Sequence, residues 1–468
     1  MPLIEPQPIP DPSSFGRVHF LAIGGAGMSG VAAICLARGL TVTGCDQSDS
    51  DVLAELVSQG ATAMVGHDPN HLVDIDTVVV SSAIPPDNPE LVEAQRRGLP
   101  VLHRSLALAS LMTGQRVISI AGTHGKTTTT AMCVAGLQAA GHDPSYAIGG
   151  TMVDSGVGSH IGSDQEFVVE ADESDGTFRQ YPTVVAVVTG IDPDHLDNWG
   201  TAERYAEGFA QFATGSGVEL VILDGDDPGA HELRSALLGA GRAVIAYGQS
   251  ADSDLRLCDI ELDGSTPRAQ LTSRDWSAPL QLIVPGIHNL RNAAAACCVG
   301  NYLGVDMDRF LDGLATFHGT ARRFQEVGKA GGITVIDDYA HHPTEVAVTI
   351  AAAREVAGPG RIIACFQPHL FTRTRDFADE FGQELAQADQ VVVLDVYPAR
   401  EQPIPGVTGE LVAAAVRAHG GQVVYLAEFD HAVEELARLA RPGDLVLTIG
   451  AGSVTSIGPG LVARLDQS

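Results

Sequence analysis

Twice in this chain a glycine-rich loop follows an apolar stretch and opens a helical one, and that pattern ties the fold to parallel α/β sheets. The first loop is "GGAGMSG", residues 24–30, after "RVHFLAI" and before a helix predicted over about 28–38. The second is "GTHGKTT", residues 122–128, between "RVISIA" and the helical "TTTTAMCVAGLQAAG". Such a loop turns the backbone sharply and aims the free amides of a helix N-terminus at an anion. It belongs at the carboxyl edge of a parallel sheet. Strands of such sheets are covered on both faces and read as short unbroken apolar runs.

Runs of that kind recur to the end of the chain. "LTVTGCD" and "TVVVSSAI" follow the first loop, with a helix over about 51–59. "FVVEAD", "VVAVVTGI", "VELVILDG" and "RAVIAYG" follow the second. "LRLCDIEL", "PRAQLTS" and "LQLIVP" then read as an antiparallel excursion before the helix "IHNLRNAAAACCVGNYLG". Past "FHGTARRFQ" the pattern restarts with "ITVIDDY", "RIIACFQ", "QVVVLDVY", "QVVYLA" and "DLVLTIG". A chain of 468 residues exceeds one ordinary core. The reading is α/β with three domains: residues 1–115 Rossmann-like, 116–318 P-loop ATPase-like with a mixed sheet, and 319–468 Rossmann-like.

A net charge of −30 argues against nucleic acid as a partner, since phosphate backbones reward clustered cations. No apolar run reaches the roughly 18–20 residues of a membrane helix. The start "MPLIEPQPIPDPSSFG" lacks the basic and apolar regions of a signal peptide, so the expected location is the cytoplasm. The seven cysteines form no CxxC pair and read as small buried hydrophobes.

In the first loop Gly25, Gly27 and Gly30 make G-x-G-x-x-G, with Asp46 closing the next strand. That is the dinucleotide fingerprint, which a nicotinamide cofactor satisfies. Its physical content is only an amide cradle for a pyrophosphate, so a UDP-linked sugar satisfies it equally. The second loop is not a full P-loop, because Ile120 stands where the first glycine belongs. The amides of 123–128 can still cradle phosphates, Lys126 can reach the terminal one, and the Thr127 hydroxyl can bind Mg²⁺. Only Lys126 and Lys329 are lysines among 28 basic residues, so Lys at 126 is a pointed exception to a preference for Arg. Acids gather at two strand ends, Glu170, Asp172, Glu173 and Asp175 in one, Asp192, Asp194 and Asp197 with His195 in the other. Carboxylates there suit Mg²⁺.

Taken together, these stretches resemble the Mur ligases of bacterial cell-wall synthesis over essentially the whole chain. The resemblance rests on "GGAGMSG", "AGTHGKTTT", "EADESD", "DPDHLDNWG", "PGIHNLRNAAAA", "RRFQ", "DDYAHHPTEV" and "YPAREQPIPGV". It is narrowest to the branch that adds L-alanine to UDP-N-acetylmuramate with ATP, through an acyl phosphate. It implies that the first loop holds the sugar nucleotide through Gly25, Ala26, Gly27, Met28, Ser29, Gly30, Asp46 and Ser82. The second loop would hold ATP through Gly122, Thr123, His124, Gly125, Lys126, Thr127 and Thr128, aided by Asn289, Asn292, Arg323 and Asp338. Lys126, Glu173 and His195 would be catalytic, with Thr127, Glu173 and His195 at Mg²⁺. Tyr339, His341, His342 and Arg373 would bind the amino acid.

Three departures stand out. No lysine between 127 and 328 could be carbamylated, Leu370 replaces an expected Arg, and Ser453 replaces an expected Asp. With Leu370 in place, Arg373, or else Arg375, is left for the amino-acid carboxylate. A monomer or homodimer is expected. The alternatives are a murein-recycling ligase that adds a tripeptide and, from another class, a nicotinamide-dependent oxidoreductase.

Overall fold

The computed structural model describes residues 3–262, 264–399 and 401–467. Ala26, named above for the sugar nucleotide, and Asp197 are described in their backbones only; their side chains lie outside the description. Among the described residues the strands form three sheets.

The first sheet holds β1 (Arg17–Leu21), β2 (Thr41–Asp46), β3 (Thr62–Val65), β4 (Thr77–Val80) and β5 (Val101–His103). They run parallel in the order β3-β2-β1-β4-β5. The chain winds outward from β1 to β3, then crosses back to β4. The crevice at the carboxyl end of β1 is therefore the switch point where such sheets bind ligands, and residues 24–30 occupy it.

The second sheet is built the same way around β6 (Arg116–Ala121). The rest are β7 (Ser145–Ala147), β8 (Ser159–His160), β9 (Glu166–Glu170), β10 (Thr183–Val188), β11 (Leu220–Asp224), β12 (Val244–Gly248), β13 (Leu255–Glu261), β14 (Arg268–Ser273) and β15 (Ser277–Gln281). Their order is β15-β14-β13-β12-β11-β10-β6-β9-β7-β8. β6 pairs in parallel with β10 on one side and β9 on the other. The second glycine loop and both acidic strand ends thus leave neighbouring strands at the same edge.

The third sheet has β16 (Gln325–Ala330), β17 (Ile333–Asp338), β18 (Ile362–Phe366), β19 (Gln390–Leu394), β20 (Val423–Leu426) and β21 (Leu445–Ile449), ordered β16-β17-β21-β18-β19-β20. Only β16 runs antiparallel, against β17.

Two compact units result. Met1–Cys258, Gln270–Leu280 and Arg291–Phe317 make one, and Asp259–Ala269, Gln281–Leu290 and His318–Ser468 the other. Within the first, Phe15, Val18, Val31 and Ile34 share one apolar cluster with Val117, Phe167 and Val169 of the second sheet. The helix Arg104–Leu111 shows why. It is buried from Ser105 to Leu111, as an all-round apolar helix must be. The proline-rich start also has a place, since Ile4 N–H donates to Asp175 O (2.9 Å) and Gln7 N–H to Gln180 Oε1 (2.6 Å).

Some strands differ from the sequence reading. The run "LQLIVP" was expected as a strand, but β15 is Ser277–Gln281, set by a tight turn that Ser273 N–H closes onto Trp276 O. β16 was not expected. "QEVGKA" has no apolar run because an edge strand is covered on one side only.

Candidate active site

Around Lys126 the second loop becomes a cradle. Gly125 caps the helix Lys126–Ala139 at φ +81°, in the left-handed region, and a Cβ there would stand 2.6 Å from Asn292 Oδ1. Thr123 Oγ donates to Asp192 O (2.8 Å) and accepts from Asp192 N–H (2.9 Å). Its side chain therefore locks the loop to the end of β10, and its N–H adds a bond to Gly190 O (3.0 Å). Thr127 and Thr128 lie in the first helical turn, where amides lack intrahelical partners.

The Lys126 ammonium donates to Gly122 O (2.7 Å), Thr123 O (3.1 Å) and Glu173 Oε1 (3.1 Å), with Glu173 Oε2 2.9 Å away. Burial would lower its pKa, but the carboxylates of Glu173, Glu170 and Asp172 outweigh burial and raise it. Glu173 is 1% exposed. Burial raises its pKa against the pull of Lys126, and Asp172 adds to the rise. Trp199 Nε1–H donates to Glu173 O (3.0 Å) and anchors the strand end. His195, at φ +53°, brings Nε2 to 4.0 Å from Glu173 Oε1 and 3.6 Å from Asp194 Oδ2. Lys126, Glu173 and His195 therefore meet at one place. His124 Nε2 lies 3.6 Å from Asp192 Oδ2 at the loop's other side.

The cradle suits a polyphosphate, with helix-end amides, left-handed glycine and one ammonium. Mg²⁺ takes oxygen ligands. Glu173 Oε2 is a buried carboxylate oxygen that, among the described residues, has its ion pair with Lys126 but accepts no hydrogen bond. These residues fit both groups. Asn292 Oδ1 accepts from Thr129 Oγ–H (3.2 Å), and Asn289 Nδ2–H donates to Pro285 O (2.7 Å) on the same helix, Ile287–Leu303.

The first loop is held from its own sheet. Asp46 Oδ2 accepts from Gly24 N–H (2.9 Å), so this acid positions the loop. Gly25 caps the helix Ala26–Ala37, Met28 is buried in the core beneath it, and Ser29 and Gly30 are half-buried. Gly27 makes room for Arg104, since a Cβ there would lie 2.5 Å from Nη1. Arg104 Nη2–H donates to Asp172 Oδ2 (3.0 Å). Ser82 Oγ–H donates to Asp175 Oδ2 (3.0 Å) and lies 3.1 Å from His103 Nε2. Burial lowers the His103 pKa to about 4, with Asp175 opposing and Arg104 assisting. The sequence reading missed His103 and Arg104. Their one signal was position, at the carboxyl end of β5 and beside the end of β4.

In the other unit the remaining candidates form a second cluster. The Tyr339 ring lies under the guanidinium groups of Arg322 (4.7 Å) and Arg323 (5.3 Å). His341 Nδ1 is 3.2 Å from Glu345 Oε2, and its ring meets Tyr339 edge-on at 5.3 Å. Burial lowers the His341 pKa to about 4, with Glu345 opposing and Arg373 assisting. His342 caps the helix Pro343–Ala357 with Glu345 in a capping box. Asp338 accepts from Phe324 N–H and Ala340 N–H (both 2.8 Å), and burial raises its pKa to about 6 against Arg323. Arg375 is paired with Asp376 (2.6 Å) at an exposed position, whereas Arg373 is half-buried. Leu370 stands at φ +69° before the helix Phe371–Leu385, and Ser453 bonds Gln367 (3.1 Å).

Comparison with known proteins follows these three sheets. Three family models match in series: "Mur ligase family, catalytic domain" over residues 17–116, "Mur ligase middle domain" over 120–300, and "Mur ligase, glutamate ligase domain" over 322–452. A UDP-N-acetylmuramate–L-alanine ligase of Cutibacterium acnes is 56% identical over 468 residues, 100% of this chain and 99% of that one. One from Kineococcus radiotolerans is 51% identical, over 97% of both chains. The crystal structure of UDP-N-acetylmuramate–alanine ligase from Thermotoga maritima superposes with a TM-score of 0.82 at 28% identity, covering 96% of this chain and 99% of that one.

Proposed function

The chain belongs to the Mur ligase family, and from that premise we propose that it joins L-alanine to UDP-N-acetylmuramate with hydrolysis of ATP to ADP and phosphate. The observation that carries the reading is the 56% identity, along the whole chain, to a ligase of that name. The geometry around Lys126 supports it. A carboxylate does not acylate an amine until one oxygen becomes a good leaving group. Attack of the substrate carboxylate oxygen on the terminal phosphorus of ATP forms the acyl phosphate and releases ADP. The alanine nitrogen then attacks the acyl carbon, the C–O bond breaks, phosphate leaves and the nitrogen loses a proton.

Two anions must approach each other in the first step, and the Lys126 ammonium is the fixed charge that allows it. Glu173 holds that ammonium in place, and His195 adjoins the pair. Thr127, Glu173 and His195 are proposed to hold Mg²⁺, which supplies further neutralisation of phosphate charge when bound. Residues 122–128, with Asn289, Asn292, Arg323 and Asp338, are assigned to the nucleotide. Residues 25–30 with Asp46 and Ser82 are assigned to the sugar nucleotide, and to them we add Arg104. Tyr339, His341, His342 and Arg373 are assigned to alanine. No helix among the described residues is long and apolar enough to cross a membrane. The proposal sets the enzyme in the cytoplasm as a monomer or homodimer, acting on small molecules and without nucleic acid.

The test is phosphate release from ATP and Mg²⁺ with UDP-N-acetylmuramate, run with L-alanine and with the cell-wall tripeptide. Release that requires the sugar nucleotide and L-alanine supports the reading. Release only with the tripeptide assigns the recycling reaction instead, and NADH binding without any release would return the first loop to a nicotinamide.

A further inference from the structure

Between β1, β2 and the helix Pro89–Arg97 lies a cluster that the ligase reaction does not use. Glu90, on the helix Pro89–Arg97, is a fully buried acid, and His19 on β1 and Cys45 on β2 are fully buried beside it. Cys45 Sγ–H donates to Glu90 Oε2 (2.8 Å), and His19 Nε2 lies 3.8 Å from the same oxygen, too far for a hydrogen bond. Among the described residues His19 Nε2 has no hydrogen-bond partner, and its other nitrogen is fixed by Thr43 Oγ (2.7 Å). These three ligand atoms all lie within 4.8 Å of one another. His67 Nδ1 adds a fourth, 3.1 Å from Cys45 Sγ and 3.3 Å from Glu90 Oε2.

We propose that His19, Cys45, Glu90 and His67 form a binding site for a zinc-class divalent transition ion. The donors of a tetrahedral site with bonds of about 2.0–2.3 Å stand roughly 3.3–3.7 Å apart. The spacings here run from 2.8 Å between Cys45 Sγ and Glu90 Oε2 to 3.8 Å between His19 Nε2 and Glu90 Oε2, so the sulfur and the carboxylate must part to admit the ion. The thiolate selects against Mg²⁺ and Ca²⁺. One thiolate, one carboxylate and two neutral imidazoles make an uncharged complex with a dication, which suits full burial. Without it, the described partners of the buried Glu90 are three histidines, a thiol and a backbone amide, and none is a lysine or arginine.

The surrounding contacts are those of a prepared site. Glu90 Oε1 is turned away by His71 Nδ1 (2.6 Å) and Asp68 N–H (3.1 Å), which leaves Oε2 facing the sulfur and His19. Metal-ligating carboxylates and imidazoles are held by such outer contacts. His67 and His71 are partly exposed and give an approach from solvent. Binding displaces the Cys45 thiol proton to solvent and leaves sulfur as the ligand. The site would tie β1, β2 and the helix Pro89–Arg97 together, beside Asp46, whose carboxylate holds Gly24.

The full-length protein, stripped with chelator, is titrated with Co²⁺ and then passed over a desalting column. One equivalent should be retained, with a near-ultraviolet sulfur-to-cobalt charge-transfer band that Zn²⁺ bleaches. Cys45→Ser should abolish the band, and His71→Gln, nearer the surface, should weaken retention on the order of 10- to 100-fold while keeping the band. No retained cobalt in the unsubstituted protein, or a band that persists in Cys45→Ser, overturns the proposal. If Cys45→Ser fails to fold, the His71→Gln titration decides, and unchanged retention there also overturns it.

Discussion

Arg104 holds Asp172, Nη2 to Oδ2 at 3.0 Å, while the same guanidinium lies against the open face of Gly27. One side chain thus links the first glycine loop to the acidic end of β9, next to Glu173. A Cβ at Gly27 would stand 2.5 Å from Arg104 Nη1, so Gly27→Ala must push the guanidinium aside. KM for the sugar nucleotide should rise on the order of 10-fold, about 1.4 kcal/mol, with a smaller change in kcat. In an Arg104→Ala background the same substitution should cost much less, and steady-state kinetics of the four-member cycle measures that coupling.

Lys126 donates to two loop carbonyls and to Glu173 from one compact ammonium. A planar guanidinium cannot make those three contacts in the same space. Lys126→Arg should therefore lower kcat by about 10²-fold or more while leaving the circular dichroism unchanged. Retained turnover in Lys126→Arg would remove the ammonium from the phosphoryl-transfer step.

His103 is neutral in the folded protein down to about pH 4 because it is buried, against an ordinary value near 6.5. The unfolded chain then binds more protons between those values, so this group's stability is present above about 6.5 and is lost as pH falls toward 4. The full loss is on the order of 3 kcal/mol. Thermal melting from pH 7 to pH 4 should fall less steeply in His103→Gln than in the unsubstituted protein.

If Tyr339, His341, His342 and Arg373 line a pocket shaped for one methyl, glycine should react on the order of 10- to 200-fold less efficiently than L-alanine by kcat/KM. Competing the two amines in one assay measures the ratio, and equal use would refute a pocket that reads the methyl.

Much of this protein is local in its sequence. The strand–loop–helix units at 17–37 and 116–139, the placement of Lys126 in the loop, and the acids after β9 and β10 follow from apolar runs ending in glycine or carboxylates. Those patterns depend on neighbours within a few residues, and the three sheets keep them. Edge strands such as β16 escaped because half-covered positions need no apolar run. The pairing of Arg104 with Asp172, 68 positions away, and the gathering of His19, Cys45, His67 and Glu90 had no spacing to betray them. Both depend on strand order: β1 lies between β2 and β4, and the apolar helix Arg104–Leu111 shares a core with the second sheet. Periodicity along the chain determined which segments would be strands, loops and helices. Only the packing of sheets and helices decided which charges would meet, because burial leaves a charge whatever partner the fold brings beside it.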